Sequence, residues 1–549
     1  LLLGYSFFRG ITITFFYVAS SALFLSSYGS ESLPVVYIIS AFVSSFTGWV
    51  YRACDRQIDL PPLFTGTLLV LLSSVIGFRL LLWFSPGTWP AFGMMVWYFT
   101  LYAFMSVSFW GVTGRLFNVR QGKRLFGLLG SGELVASIAG GLGTPLLVGA
   151  LGTANLLTLS AAGILMCLVF LRRLISVTDG RLNRPPAPVR GPAVAQPGIA
   201  DLLGQRYIVL IFTVYLLGGL VFYLIDFTFY DQTQGHVAGR EELARFFGFF
   251  FAAVQTVTLL ILTILSGRLI NRFGIRVGLV SRPATLGVLT IALLAVGLTA
   301  GPKAAIFWVA VLAKLVDLMY DKALYSSSFR ILYQPLQPER KLPTQVTVES
   351  TVGPVAAGIV GLVLLGYRML GRLDLIPLNI LTLLTVAAWC FCAVLVYRHY
   401  RTTLADALGK RGLDRAGLSL DEGVLQEILR SRLGSPHAGE AIYALDLLEK
   451  ADIGDMPATL EGQLAHPSDE VRIDTLTRIG RTKDESLLEA VRTQVEVESV
   501  PEARAAALKA LCELGEAEVV DFVAPFLEYP DREIQLGAMV GLLRGGGID

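Results

Sequence analysis

Apolar runs of about 20 residues recur along the first 400 positions, with few charges inside them. That is the length that crosses a hydrocarbon layer roughly 30 Å thick as an α-helix. The runs predict twelve spans, at 4–27, 34–53, 62–84, 89–117, 126–149, 153–172, 206–229, 246–266, 278–300, 304–333, 350–367 and 376–397. The first run lacks a short apolar core with a small-residue cleavage site and leads straight into more spans. It reads as a span, not a secretion signal. Beyond Arg401 the pattern shortens to amphipathic helices of about 12–16 residues. The fold class expected is all-α: a polytopic membrane part followed by a helical tail.

Composition agrees. Only 16% of the 549 residues are charged, against about 25% in soluble domains, and the mean hydropathy is +0.62. The charges also divide the chain. Residues 1–399 hold 29 Lys and Arg against 15 Asp and Glu, whereas residues 400–549 hold 16 against 28. The basic loop residues lie mostly on one side of the predicted spans: 18 of them, from Arg52 to Lys341, against five on the other (Arg240, Arg245, Lys303, Arg368 and Arg372). By the positive-inside rule both termini and the acidic tail are cytoplasmic. The place expected is a plasma membrane, the bacterial inner membrane. The five cysteines show neither a disulfide framework nor metal spacing. The four histidines are scattered, so no metal site, cofactor or catalytic set is expected. The chain opens without Met and ends on Gly545-Gly-Gly-Ile-Asp549, and further sequence is expected at both ends.

The Pro-rich stretch from Arg181 to Gly198 reads as a linker between two bundles of six. The expected domains are 1–172, the linker 173–205, 206–399 and the tail 400–549. Gly48-Trp-Val-Tyr-Arg-Ala-Cys-Asp-Arg56 after the second span echoes Gly267-Arg-Leu-Ile-Asn-Arg-Phe-Gly-Ile-Arg276 after the eighth. This 6+6 pattern resembles the major facilitator superfamily (MFS), in which the halves rock about a midplane site.

A narrower resemblance rests on Tyr28-Gly-Ser-Glu-Ser-Leu-Pro34, Gly122-Lys-Arg-Leu-Phe-Gly-Leu-Leu-Gly130, Tyr223-Leu-Ile-Asp-Phe-Thr228, Arg272-Phe-Gly274 and Leu332-Tyr-Gln-Pro-Leu336. Over residues 15–397 the chain resembles the nucleotide (ATP/ADP) translocases. The resemblance implies an MFS-like fold and exchange of nucleotides or related anions. It also implies charged translocation residues at Ser20, Arg115, Asp226 and Gln345, of which Asp226 alone keeps the family's charge.

Ionisable residues inside spans cost about 2.5–3.5 kcal/mol each on insertion scales and by default mark a pathway. Lys314, Asp317 and Asp321 stand at i, i+3 and i+7, with Lys322 beside them and Tyr325 continuing the stripe. They read either as a cavity-facing cluster for solute or protons, or as an ion-pair network locking the helix in place. Arg9 and Arg79 read as pathway or snorkelling residues. Asp226, near the outer end of the seventh span, reads as a gate or a solvated cap. Glu133 lies on a glycine-rich span whose Gly130-Ser-Gly132 suits helix packing rather than phosphate binding. Lys123, Arg124 and Arg115 mark a cytoplasmic mouth.

In the tail, helices aligned at 440, 472, 504 and 535 recur every 31–32 residues, each preceded by a proline. Leu464-Ala-His-Pro-Ser-Asp-Glu-Val-Arg472 resembles a HEAT-type repeat, which implies an α-solenoid. Its acidity excludes nucleic acid and suits a cytoplasmic protein partner or a regulatory lid. The function expected is a secondary transporter moving a polar, anionic solute, the nucleotides being the family's class. The alternative is a transport-inactive sensor or scaffold that recruits a protein through the tail.

Overall fold

A computed structural model describes residues 1–178, 201–409 and 429–545, apart from 56, 85–87, 118, 203, 300–301, 337, 372–373, 436, 452–454 and 516–518. Within its helices the side chains of 119–124, 126, 265–274, 338–339, 342, 405–409 and 450 are likewise outside the description. The chain divides into two units, Leu1–Ser419 and Leu420–Asp549.

The first unit begins with α1 (Leu2–Tyr28), α2 (Leu33–Asp55), α3 (Leu60–Phe84), α4 (Trp89–Leu116), α5 (Val119–Leu151) and α6 (Leu156–Val177). The second set of helices, two of them short, is α7 (Arg206–His236), α8 (Arg240–Leu260), α9 (Ser266–Leu298), α10 (Lys303–Tyr320), α11 (Ser326–Ile331), α12 (Pro338–Thr347), α13 (Gly353–Met369) and α14 (Leu375–Gly409). Three π turns join neighbours end to end: Ile261–Leu265, Asp321–Tyr325 and Val348–Val352. Among the described residues, eleven helical stretches are long and apolar enough to cross a membrane. The expected run at 304–333 is helical from Lys303 to Ile331 through its π turn, but Lys314, Asp317, Asp321 and Lys322 set it apart from those eleven.

Small residues let these helices approach. A Cβ at Gly10 would lie 2.5 Å from the Glu133 carbonyl, so α1 and α5 touch backbone to backbone. The two bundles meet in the same way, since a Cβ at Gly141 of α5 would lie 2.5 Å from the Gly248 carbonyl of α8. One at Gly361 of α13 would lie 2.7 Å from the Pro34 carbonyl of α2. The glycine-rich stretch of α5 therefore packs helices, as its composition suggests. The aromatic run of α8 does too: Phe247, Phe250 and Phe251 are buried, with Phe251 5.1 Å from Tyr17 and Phe250 4.6 Å from Phe229.

One end of the bundle pair is tied. Gly29 ends α1 at φ 73°, a turn open to glycine because a side chain there would strike Gln234. The Ser30 amide then donates to Gln234 at 2.6 Å, and the Ser30 hydroxyl donates to Asp231 at 2.9 Å. Arg368 pairs with Glu31 at 3.3 Å. At the far ends of α2 and α12, Val50 and Val346 stay exposed (38% and 44%).

The second unit is a run of short helices: α15 (Ala438–Ala451), α16 (Met456–Gln463), α17 (Asp469–Thr482), α18 (Leu488–Val497), α19 (Pro501–Gly515), α20 (Val520–Val523) and α21 (Arg532–Gly545). Alternate helices begin at Ala438, Asp469, Pro501 and Arg532, close to the period of 31–32 residues read from the chain. They lie side by side, α17 on α19 and α19 on α21. Gly480, Gly537 and Gly541 occupy the contacts, where a Cβ would meet the neighbouring helix at 2.2–2.9 Å.

Arg472 braces this stack. Its guanidinium holds the Glu498 carboxylate at 2.7 and 2.9 Å and donates to the His466 carbonyl at 2.8 Å. Burial alone would raise the Glu498 carboxyl. Hydrogen bonds from Arg472, the Val500 amide and Gln494 outweigh it and hold the group down at about 2, against an ordinary 4.5. A carboxyl depressed by folding stabilises above its ordinary value, and that stability is lost as pH falls from about 4.5 toward 2. Hydrogen exchange over 469–515, corrected for intrinsic rates, should therefore show protection that holds down to pH about 5 and falls below it. Glu498→Gln should lower protection at neutral pH and flatten the pH dependence. An unchanged profile in that variant would remove Glu498 as the cause.

Candidate functional site

Lys314 and Asp317 lie on one face of α10, and a regular α-helix would carry that face on to Asp321. The π turn Asp321–Tyr325 widens one turn by a residue, which shifts the register of the residues after it. Asp317 and Asp321 both reach Arg282 of α9, while Lys322, the next residue, reaches the other bundle.

Arg282 is buried. Its Nε and Nη2 donate to Asp317 Oδ1 at 3.0 and 2.7 Å, and its Nη1 donates to Asp321 Oδ1 at 2.5 Å. Tyr325 and Trp389 flank the guanidinium, their ring centres 5.0 and 5.3 Å away. Asp317 is fully buried, whereas the Asp321 side chain is 45% exposed.

A second group lies on the first bundle. Arg9 of α1 donates to Glu133 of α5, and both are buried. The close crossing at Gly10 brings these side chains together. Arg9 also lies 4.8 Å over the Phe109 ring. Lys322 Nζ approaches the other Glu133 oxygen at 3.7 Å from across the bundle interface, with its side chain 27% exposed.

The third group joins Lys314 to Asp226 of α7 at 2.6 Å, and Tyr37 of α2 donates to the other Asp226 oxygen at 2.7 Å. Asp226 is only 6% exposed and lies ten residues before the end of α7, which runs on to His236. It is thus no solvated cap, which corrects that expectation. The reason is the added length of α7, which carries Asp226 inside the bundle.

Across the three groups, four cations (Arg9, Arg282, Lys314, Lys322) face four carboxylates (Glu133, Asp226, Asp317, Asp321). Unpaired, each would carry the insertion cost of a charge in hydrocarbon. In pairs, mutual attraction offsets much of that cost in a medium of low dielectric.

The network gathers Arg9, Glu133, Asp226, Lys314, Asp317, Asp321, Lys322 and Tyr325. Arg79 stays outside it, donating to Asn155 at 2.6 Å beside the α5–α6 turn. Arg115 lies in the last turn of α4. The side chains of Lys123 and Arg124 lie outside the described residues. Ser20 is fully buried and donates to the Tyr17 carbonyl at 3.1 Å. Gln345 is half-buried and donates to Glu349 at 3.1 Å. Arg282 and Tyr37 escaped the sequence reading. Arg282 follows the loop cluster ending at Arg276 by six residues and passes for a flanking charge, and nothing local marks one tyrosine among many. Among the described residues, no three His, Cys, Asp or Glu side chains group as metal ligands.

Residues 190–400 match the family model described as TLC ATP/ADP transporter. The chain is 23% identical over 284 residues to ADP,ATP carrier protein 1 of Chlamydia pneumoniae, covering 45% of this chain and 54% of the carrier. To ADP,ATP carrier protein 1 of Chlamydia muridarum (strain MoPn / Nigg) it is 24% identical over 328 residues, covering 54% of this chain and 61% of that one. The chain thus spans less than two thirds of the length of these relatives. Among solved structures it is similar to a bacterial homologue of the iron transporter ferroportin in an inward-facing state. That likeness has a TM-score of 0.51 and 15% identity, over 72% of this chain and 97% of the other. It is also similar to a POT family transporter in complex with a thioalcohol-conjugated peptide, at TM-score 0.52 and 14% identity over 73% and 96%. At these identities the likeness is one of fold. The long apolar helices, the MFS-type fold and the family match together make this a multi-pass membrane protein that resembles the TLC ATP/ADP transporters.

Proposed function

We propose that the chain is an MFS-type secondary transporter, related to the ATP/ADP translocases, that moves a polar solute by alternating access. The moving parts are the bundles 1–172 and 206–399, joined by 173–205, and the stretch Lys303–Ile331 is a twelfth span. The observation that carries this reading is the charge network at the interface of the bundles. Two of its contacts cross between them, Lys322 to Glu133 and Tyr37 to Asp226. A solute that competes for these groups would change how the bundles are tied, which is what coupling solute to rocking requires.

With both termini cytoplasmic, the tied end faces outward, where Ser30, Asp231 and Arg368 also line a cleft of about 1090 Å³. An anionic solute, the class the resemblance implies, would meet Lys322, the most exposed of the four cations. The tail is a HEAT-like solenoid that regulates transport or docks a cytoplasmic protein. A transport-inactive sensor or scaffold is the second reading, favoured by Ser20. That position is buried against backbone, so no fixed cation stands where the family places one.

Spin labels on Val50→Cys and Val346→Cys, in a background without the native cysteines, test the transport reading in liposomes. A transporter should populate two distances between these labels, with the balance moved by disrupting the Arg368–Glu31 tie. A single fixed distance in both backgrounds would favour the scaffold.

A further inference from the structure

Two of the three charge groups carry opposite surpluses. Arg282 faces two carboxylates, so its group is short of one positive charge. Glu133 faces two cations, so its group has one to spare. In each group the reachable member is of the surplus sign. Asp321 is 45% exposed while Arg282 and Asp317 are buried, and Lys322 is 27% exposed while Arg9 and Glu133 are buried. The two reachable charges sit on adjacent residues, Asp321 on the wall of a cleft and Lys322 turned toward Glu133 across the bundle interface.

Asp321, with Arg282 beside it, opens into a cleft of about 200 Å³ walled by Tyr215, Phe222, Tyr223 and Tyr325, with Gly353 also on its lining. A Cβ at Gly353 would meet nothing within 4 Å, so the cleft is open there. The wall already holds cations against ring faces: Lys314 lies 3.9 Å from the centre of Phe222, and Arg282 lies 5.0 Å from that of Tyr325. Such a pocket suits a planar ring and an ammonium group. A polyanion would find one reachable cation next to an exposed carboxylate, a pairing that works against it.

We propose that this is the binding site of a small aromatic zwitterion, with its ring in the cleft, its ammonium on Asp321 and its acid group on Lys322. The proposal rests on the transport reading and names the solute class. The solute's acid group would replace Glu133 as the partner of Lys322, a pair already 3.7 Å apart. Binding would then loosen a tie between the bundles.

The test measures thermal stabilisation of the purified full chain by L-tyrosine, tyramine, 3-(4-hydroxyphenyl)propionate and ATP. L-Tyrosine should bind most tightly. Tyramine, lacking the acid group, should bind at least about tenfold more weakly, and the propionate, lacking the ammonium, weaker still. Asp321→Asn should abolish the response to L-tyrosine and tyramine alike, while Lys322→Ala should erase the difference between them. Because Asp321 also braces Arg282, Gly353→Leu is the second variant. It narrows the cleft without removing a charge from the network, and should lose the response while keeping the unliganded midpoint. No shift with L-tyrosine, an equal shift with the propionate or ATP, or a full response in Gly353→Leu would overturn the proposal. The spin-label distances do not depend on these compounds. A chain that alternates yet ignores L-tyrosine overturns the solute class alone, and a single fixed distance overturns the transport reading itself.

Discussion

Arg282→Met is expected to be among the most destabilising substitutions in the membrane unit, costing about 3–5 kcal/mol, the penalty for breaking a buried ion pair from one side. The change leaves Asp317, fully buried, and Asp321 without the guanidinium that both share. Two carboxylates near one another in a medium of low dielectric repel each other when no counter-charge lies between them. Water must enter the helix contact to screen them, or the contact opens. The size of the loss should therefore depend on the carboxylates and not on the arginine as such. Arg282→Met with Asp317→Asn and Asp321→Asn should recover most of it, because three neutral groups of similar shape have no charge to compensate. Unfolding midpoints of the purified variants decide this. A triple variant no better than Arg282→Met would mean that the arginine acts by packing on Tyr325 and Trp389 instead.

The second large effect is expected at Glu133. Glu133→Leu strands Arg9, which is 3% exposed beside the α1–α5 crossing. A loss of about 3–5 kcal/mol is expected here as well, largely restored by Arg9→Met in the same chain. This substitution differs from the first in its reach. Glu133 also receives Lys322 from the other bundle, whereas the carboxylates that Arg282 holds lie on α10 and on the π turn after it, within the same bundle. In the rescued Arg9→Met/Glu133→Leu chain the distance between labels at positions 50 and 346 should still shift from that of the parent. In the rescued Arg282 triple variant it should not. If both rescued chains keep the parental distances, Lys322 to Glu133 is not a tie between the bundles.

The candidate site was half legible. Lys314, Asp317, Asp321 and Lys322 announce themselves because a charge inside an apolar run is rare and costly, and the same signal picks out Arg9 and Glu133. What the spacing misplaces is direction. On an unbroken helix Lys314, Asp317 and Asp321 share one face and would meet one neighbour. Yet Asp317 and Asp321 close on α9 while Lys314 meets α7, and Lys322, one residue further round the helix, reaches α5. Arg282 lies 35 residues from Asp317, and Arg9 lies 124 from Glu133. Periodicity relates residues within one helix and is silent on pairs so far apart. The cap alternative for Asp226 misses for a simpler reason: α7 runs past the end of its apolar stretch, so a residue placed near the rim lies inside.

The order of the helices, their place along the chain and the change at residue 400 come from local composition. A backbone in hydrocarbon must satisfy its own hydrogen bonds, so any apolar run of the right length becomes a helix wherever it lies. The tail's period is local for the same reason, since each helix needs an apolar face to bury. Partners are another matter. Which cation meets which carboxylate, and which end of the bundles is tied, depends on glycine crossings at Gly10, Gly141, Gly248 and Gly361 that bring distant backbones into contact. Those contacts, and the charge left over in each group once its partners are counted, exist only after the helices have packed.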